Sequence, residues 1–218
     1  MKEYLILRLQ GAMQAWGGHT YEDYRPSGIF PTRSGLVGLI GACLGIDRKN
    51  RVKLQNLSDS FIYAVRSDTR PFATHKITDF HTVKEARRVD RKEGKNPIVS
   101  RREYLCDACF TVALKFAEKA SFSLEEVRKA IAHPCYTPVL GRRSCPIGRP
   151  LFEKVLRASN LLEALSQIEP AEGVVYSEQQ LESANRLVMR DVPSFKGHRQ
   201  FATRAVFIHA KGGPYVSE

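Results

Sequence analysis

The amino-acid sequence predicts an α+β protein whose core has a ferredoxin-like or RRM-like arrangement. Segments of alternating apolar residues predict strands, and two segments with apolar residues at helical spacing predict helices. Their order is strand, helix, strand, strand, helix, and a fourth strand is expected near Thr137–Leu140. This βαββαβ order is that of the ferredoxin-like fold and of the RRM. Residues 1–150 are therefore predicted to form the core domain, and residues 151–218 a small C-terminal β-rich subdomain.

Alternation of apolar residues predicts most of the strands. Residues 3–10 place Leu5, Leu7 and Leu9 on a core face and leave a mixed second face. Further strands are expected at 61–67, 74–83, 103–116, about 172–177, 186–190 and 203–209. Ser123 and Glu126 form a capping box that predicts a helix over 122–133, and a shorter helix is expected near 160–168.

Residues 31–45 predict the central helix of the core. Pro31, Thr32 and Ser34 are typical of a helix start, and Gly45 is typical of a helix end. One face of this helix is apolar and is predicted to be buried, with Leu36, Leu39, Ile40, Cys43 and Leu44.

The same helix carries two further features. Gly38, Gly41 and Gly45 form a stripe, and since an interior glycine costs about 1 kcal/mol relative to alanine, we expect another backbone to approach closely there. Arg33 and Ser34 stand at the first turn, where free N–H groups attract anions. The helix start is therefore either a phosphate site or an ordinary solvated first turn.

The charge of the chain indicates a polyanionic partner. Its formal net charge is +11 and its pI is about 9.6. Nucleic acid is the commonest partner of such a protein, and a membrane surface is less favoured because no basic amphipathic helix stands out. The chain contains no apolar run of membrane-spanning length, its N-terminus does not match a signal peptide, and its five cysteines are interpreted as cytosolic thiols. A cytoplasmic location is therefore expected.

Metal and catalytic motifs are weak. Cys106 and Cys109 form a CxxC pair without a second pair at zinc spacing, and positions i and i+3 of a strand face opposite ways, so no metal or cofactor is expected. His75 and His81 lie six apart in an extended segment and share a face. Such a pair suits metal-independent RNA cleavage by general acid–base catalysis, whereas the alternative is that they are ordinary structural histidines.

Basic patches with interleaved aromatic residues are the strongest functional signal. They comprise Arg33, the segment 84–102, Arg142 and Arg143 with Arg149, and residues 198–200 with Arg204, near Trp16, Tyr24, Tyr104 and Phe201. Arginine contacts to phosphates and aromatic stacking on bases suit single-stranded nucleic acid. Each patch alone is also compatible with a solvated surface, and Trp16 with a residue that fastens its loop to the core.

Long segments of the sequence resemble one known family. They read YLILRLQGAMQAWG, RPSGIFPTRSGLVGLIGACLGI, ITDFHTV, REYLCDACFTVAL, YTPVLGRRSCPIGRPLF and RQFATR, and together they extend from Tyr4 to Arg204. These segments resemble the CasD-type RAMP subunits of the type I-E CRISPR Cascade complex. The resemblance is weakest at residues 84–100 and 170–195.

The resemblance implies a fold and a function. It implies a ferredoxin-like RAMP domain with a β-hairpin thumb at about residues 82–101, and a non-catalytic subunit in antiviral defence. Such a subunit caps the 5′ handle of the CRISPR RNA, contacts the backbone and large subunits of Cascade, and meets target DNA only through the complex. In the related type I-C branch the equivalent protein cuts the precursor RNA, so a repeat-specific endoribonuclease is the alternative.

The resemblance also implies which residues contact RNA. The helix start, the turn at 141–144 and the loop after the first strand are the expected contacts. The candidates are Gln14, Trp16, Arg25, Arg33, Ser34, Arg102, Arg142, Arg143 and Ser144.

Overall fold

The computed structural model describes residues 1–18, 20, 22–68, 75–84, 97–180, 184–195 and 200–210. The strands are β1 (Lys2–Gln10), β2 (Met13–Gln14), β3 (Tyr24–Arg25), β4 (Phe61–Ser67), β5 (His75–Val83), β6 (Ile98–Cys106), β7 (Cys109–Phe116), β8 (Phe152–Ala158), β9 (Val174–Ser177), β10 (Asn185–Ser194) and β11 (Gln200–Ala210). The helices are α1 (Arg33–Cys43), α2 (Arg51–Asp59), α3 (Leu124–Ala132) and α4 (Leu161–Ser166). None of the helices described is long and apolar enough to cross a membrane.

Two sheets organise the fold, which is mixed α+β. The larger has seven strands in the order β10-β11-β9-β4-β7-β1-β8, and its neighbouring strands are antiparallel. In the smaller sheet β6 pairs with β5 on one side and with β2 and β3 on the other, and only β3 is parallel to it. Strands β5 and β6 thus form an antiparallel hairpin outside the main sheet, and in the chain this hairpin stands between β4 and β7.

The main sheet is covered on both faces. Leu5 and Leu7 of β1 belong to the core that includes Leu36 and Ile40 of α1. The opposite face of β1 is mixed as expected, with Gln10 exposed. Its Tyr4 and Ile6 are nevertheless buried, because they pack in a second core with α4, whose buried residues include Leu161, Ala164 and Leu165. Residues after 150 therefore supply a layer that local alternation in β1 could not reveal.

Two strand predictions need correction. The fourth strand expected at Thr137–Leu140 is wrong, because this segment makes only an isolated bridge between Val139 and Pro146. The strand beside β1 is β8 instead. Pro138 has no N–H to donate to a ladder, which accounts for the failure. The segment 103–116 contains the end of one strand and a second strand, separated at Asp107, whose φ is +53°.

The C-terminal strands extend the main sheet. Strand β8 pairs with β1, and β9 lies between β4 and β11. Strands from both sides of residue 150 thus share one sheet among the described residues, and the division into residues 1–150 and 151–218 stays a prediction.

Helix α1 has the predicted buried face, but its glycines do different things. The Thr32 side chain caps the helix by accepting from the Gly35 N–H, and Gly45 follows the helix end with φ +69°. A Cβ added to Gly35 would lie 2.9 Å from the Trp16 ring, so this glycine does allow close approach. The close backbone approach expected along the stripe is wrong, because an added Cβ would meet nothing within 4 Å at Gly38 and only side-chain atoms at Gly41 and Gly45.

Candidate nucleic-acid-binding groove

Four of the predicted contact residues line one open groove. The groove has a volume of about 540 Å³ and is lined by His81, Arg102, Arg142, Arg143 and Ser144. Strands β5 and β6 supply the first two residues, and the turn at 141–144 supplies the other three. Three guanidinium groups therefore converge on one surface, although their positions are up to 41 residues apart in the sequence.

The turn that carries Arg142 and Arg143 is held tightly by the backbone. The Leu140 N–H donates to the Cys145 carbonyl at 2.8 Å, and the Cys145 N–H donates to the Arg142 carbonyl at 2.8 Å. The Ala15 N–H also donates to the Leu140 carbonyl at 3.0 Å, which joins the turn to the loop after β1. Leu140 and Cys145 are buried, so the two arginines project from an anchored turn.

Arg142 is fixed by its own contacts. Its two terminal nitrogens donate to the carbonyls of Glu103 and Arg25, each at 2.8 Å. Its guanidinium also lies 4.8 Å from the centre of the buried Tyr104 ring. The Tyr104 hydroxyl lies 3.3 Å from Ser144 Oγ. Arg142 thus contributes a positioned charge and ties the turn to β3 and β6.

The other groove residues are less constrained. Arg102 Nε donates to Ser100 Oγ at 3.1 Å. Arg143 is exposed and has no hydrogen bond or ion pair to the other residues that the structure describes. His81 Nε2 contacts a carboxylate oxygen of Asp79 on the same strand. The positive charges of Arg102 and Arg143 are therefore not paired with a carboxylate of the described residues.

A small hydrogen-bond network centred on Glu103 links β6 to β3, β5 and the loop after β3. The Glu103 carboxylate accepts from the Tyr24 hydroxyl, from the Ser27 N–H at 3.0 Å and from Lys76 Nζ at 3.1 Å. Burial alone would raise the pKa of Glu103, but these hydrogen bonds outweigh it and lower the pKa. Arg25 has a related structural part, since its guanidinium donates to the carbonyls of Glu22 and Tyr24 while its own carbonyl receives Arg142.

Gln14 and Trp16 lie inside the protein. Gln14 Nε2 donates to the Ala108 carbonyl at 2.6 Å, and its Oε1 accepts from Trp16 Nε1 at 2.9 Å. Trp16 is only 1% exposed, and its ring packs against Gly35. Trp16 therefore fastens its loop to the core, which was the alternative to a contact with RNA. Neither side chain lines the groove.

Arg33 and Ser34 are also away from the groove, and the helix start is neither the open anion site nor the solvated first turn that the sequence left as alternatives. The Arg33 N–H donates to an Asp191 carboxylate oxygen at 2.8 Å. The guanidinium donates to the Phe61 carbonyl at 3.0 Å and forms an ion pair with Glu178. Ser34 is half-buried, and its Oγ lies 3.4 Å from Thr32 Oγ1. The anion preference of the helix start is satisfied by the protein's own carboxylate.

Comparison with known proteins assigns the chain to a family. The model of the CRISPR-associated Cas5 protein family matches residues 4–207. The chain belongs to the Cas5 family. The CRISPR system Cascade subunit CasD of Escherichia coli (strain K12) is 47% identical to this Cas5 protein over 225 residues, covering 100% of both chains. The resemblance to CasD-type subunits found in the sequence is therefore confirmed.

Solved structures agree with this assignment. A chain of a CRISPR RNA-guided surveillance complex is 29% identical to the Cas5 protein, with a TM-score of 0.73 over 94% of this chain and 89% of that one. A Cas protein known from its crystal structure is 26% identical, with a TM-score of 0.67 over 97% of this chain and 100% of that one.

Arg204, another predicted basic position, lies in the same buried cluster as Arg33. It donates to both carboxylate oxygens of Asp191, at 2.6 and 2.7 Å, and to the Tyr63 hydroxyl at 2.6 Å. Burial opposes its charge, yet the hydrogen bond to Asp191 leads the contacts that raise the pKa of Arg204. This cluster joins α1 to strands β10 and β11 of the Cas5 protein and is part of its core.

The remaining sequence features are the other basic segments, the possible metal ligands and the CxxC cysteines. Most of the basic segment 84–102 and residues 198–199 lie outside the described residues. Within the described part of the chain, no group of three or more His, Cys, Asp or Glu residues is placed to hold a metal ion. Burial, followed by the nearby Asp68 carboxylate, raises the pKa of the Cys109 thiol.

The sequence does not predict that His81 lines the groove. Alternation places it on one strand face with His75 and indicates only the catalytic and structural alternatives given above. The cross-strand register sets His81 opposite Ser100 and sets Asp79 opposite Arg102, which brings His81 to the groove. That register could not be read from local sequence.

Proposed function

We propose that this Cas5 protein is a non-catalytic RNA-binding subunit of a CRISPR Cascade complex, and that its groove holds the 5′ handle of the CRISPR RNA. The observation that carries the proposal is the convergence of Arg102, Arg142 and Arg143 on one groove. Guanidinium groups bind phosphates through paired N–H donors, and a groove lined by them favours a nucleic-acid backbone. The similarity to a chain of a CRISPR RNA-guided surveillance complex supports the choice of RNA, and the identity to CasD supports the choice of Cascade.

The fold supports the same proposal. We assign the core as ferredoxin-like, of the RAMP type, for two reasons. Strands β8, β1, β7 and β4 are adjacent in that order in the sheet. In the chain, helices α1 and α2 stand between β1 and β4, and helix α3 stands between β7 and β8. The thumb, proposed at about 82–101, lies largely outside the described residues, and only its two ends belong to the described β5–β6 hairpin. Its outermost described pair, Val83 and Ile98, is exposed and lies on the same face as Arg102. A cationic groove binds the phosphate backbone, and apolar side chains next to the groove can contact the bases of the same strand.

The contacts of each candidate suggest different roles. Arg102, Arg143 and Ser144 are proposed to touch RNA, and Arg142 to touch it while also fixing the turn. Gln14, Trp16, Arg25, Arg33 and Ser34 are proposed to act mainly by shaping the protein, because their side chains have internal partners.

The proposed partners follow from the same assignment. They are the backbone and large subunits of a Cascade complex, with target DNA reached only through that complex. We propose a cytoplasmic location without membrane contact.

Endoribonuclease activity is the second candidate, and one observation favours it: His81, paired with Asp79, lies in the groove. A histidine beside a carboxylate is a common general base. Incubation of the full chain with CRISPR repeat RNA in EDTA separates the two functions. We expect the RNA to be bound and to stay intact. A defined product with a 5′-hydroxyl end that disappears in His81→Gln would contradict the non-catalytic assignment.

A further inference from the structure

We infer that His81 is an RNA-binding residue of the groove and that it binds phosphate only with a proton, under the control of Asp79. The inference rests on the proposed function, because it concerns the same groove. It adds a residue and a regulatory property that the arginine pattern does not imply, namely RNA binding that strengthens as the pH falls.

The geometry places His81 among cations and beside a single carboxylate of the groove face. Its side chain is 34% exposed and that of Asp79 is 49% exposed, so both reach solvent. Asp79 is the cross-strand partner of Arg102, and His81 is the partner of Ser100. The charged and polar groups around His81 are Asp79 on β5, Ser100 and Arg102 on β6, and Arg142, Arg143 and Ser144 on the turn.

Asp79 makes the protonation state of His81 matter. When His81 is neutral, the negative charge of the Asp79 carboxylate is not balanced by its neighbour on β5 and repels an incoming phosphate. When His81 carries a proton, it neutralises Asp79 and adds a donor to the groove. Histidine is the side chain whose charge most commonly changes between about pH 5 and pH 8, so the inference is tested across that range.

The sign of the pH dependence follows from linkage. A bound phosphate favours the charged imidazolium, so RNA binding takes up a proton. The extra affinity is therefore present at low pH and is lost as the pH rises. Because a partly exposed charge is screened by solvent, we expect a moderate change, a fall in affinity of roughly three- to tenfold between about pH 5.5 and about pH 8.5.

Filter binding of radiolabelled CRISPR repeat RNA to the full chain tests the inference at constant ionic strength in EDTA. His81→Gln should bind with a flat pH profile, near the wild-type affinity at high pH. Asp79→Asn should bind more tightly than wild type at high pH. His75→Gln is the matched control, since His75 lies on the same face of β5 and is exposed but does not line the groove, and it should keep the wild-type profile.

Proton uptake gives a second readout that a merely structural role would not change. Calorimetric titrations in buffers of different ionisation enthalpy should detect uptake of up to about one proton per RNA bound by wild type at mid-range pH, and less by His81→Gln. Wild-type binding that does not change with pH, or a His81→Gln profile equal to wild type, overturns this inference alone. Failure of the wild-type chain to bind repeat RNA at any pH overturns the proposed function as well.

Discussion

Replacing Arg204 by methionine is expected to lower the free energy of unfolding by about 3–5 kcal/mol. The Arg204 side chain is 11% exposed and lies between the carboxylates of Asp191 and Glu178, with the Glu178 oxygen 3.2 Å from its Nη1. Removal of one partner from a buried ion cluster leaves carboxylates that neither water nor another cation fully compensates. Arg33 still forms an ion pair with Glu178, so Asp191 is the carboxylate that loses most of its charge compensation.

Urea denaturation followed by circular dichroism measures this effect. Arg157→Met is the control, because Arg157 is 73% exposed and pairs with Glu3 at 3.3 Å, and such surface pairs contribute at most about 1 kcal/mol. Adding Asp191→Asn to Arg204→Met should recover part of the loss, since the amide removes the stranded charge. Equal stability of Arg204→Met and Arg157→Met would contradict the account of the cluster.

Replacing Gly141 by alanine is expected to cost at least about 3 kcal/mol or to displace the groove turn. Gly141 has φ +92°, and an added Cβ would lie 1.7 Å from the Ala15 carbonyl oxygen. The neighbour is backbone, held by the Ala15 N–H bond to Leu140, so it cannot move aside without breaking the turn. The variant should therefore lose stability and RNA binding together.

Gly38→Ala is the matched control for this prediction. An added Cβ at Gly38 has open space, so alanine should stabilise α1 by about 0.5–1 kcal/mol through its helix propensity. Thermal and urea unfolding of the two variants provide the comparison. A Gly141→Ala protein that matches wild type in both stability and RNA binding would show that the turn is not constrained as described.

Local sequence information predicted the elements that local physics controls. The caps at Thr32 and Ser123 and the alternation of β1 identified α1, α3 and the first strand, because capping and periodicity depend on residues within a few positions. Helix α2 was missed because its apolar pattern is sparse, with Val52 exposed and Leu57 buried. Its Asn50 cap, which accepts from the Lys53 N–H, was the available signal.

The site was predicted in part, and distant contacts explain the rest. The basic turn and Arg102 were recognised by charge, and they do line one groove. Arg33 failed as an exposed anion ligand because Asp191, 158 positions away, occupies the helix start. Arg142 acquires its fixed orientation from carbonyls of Glu103 and Arg25 that pattern alone could not bring to it.

The salt dependence of binding to CRISPR repeat RNA tests the central claim that the groove holds the RNA backbone. The informative variant is Arg102→Ala with Arg143→Ala, because removing Arg142 would also free two carbonyls. The control, Arg48→Ala with Arg51→Ala, removes the same charge from exposed positions outside the groove lining. We predict that the slope of log affinity against log salt becomes shallower by roughly 0.7 for each lost phosphate contact in the groove variant, with a smaller change in the control. An unchanged slope in the groove variant would contradict the claim.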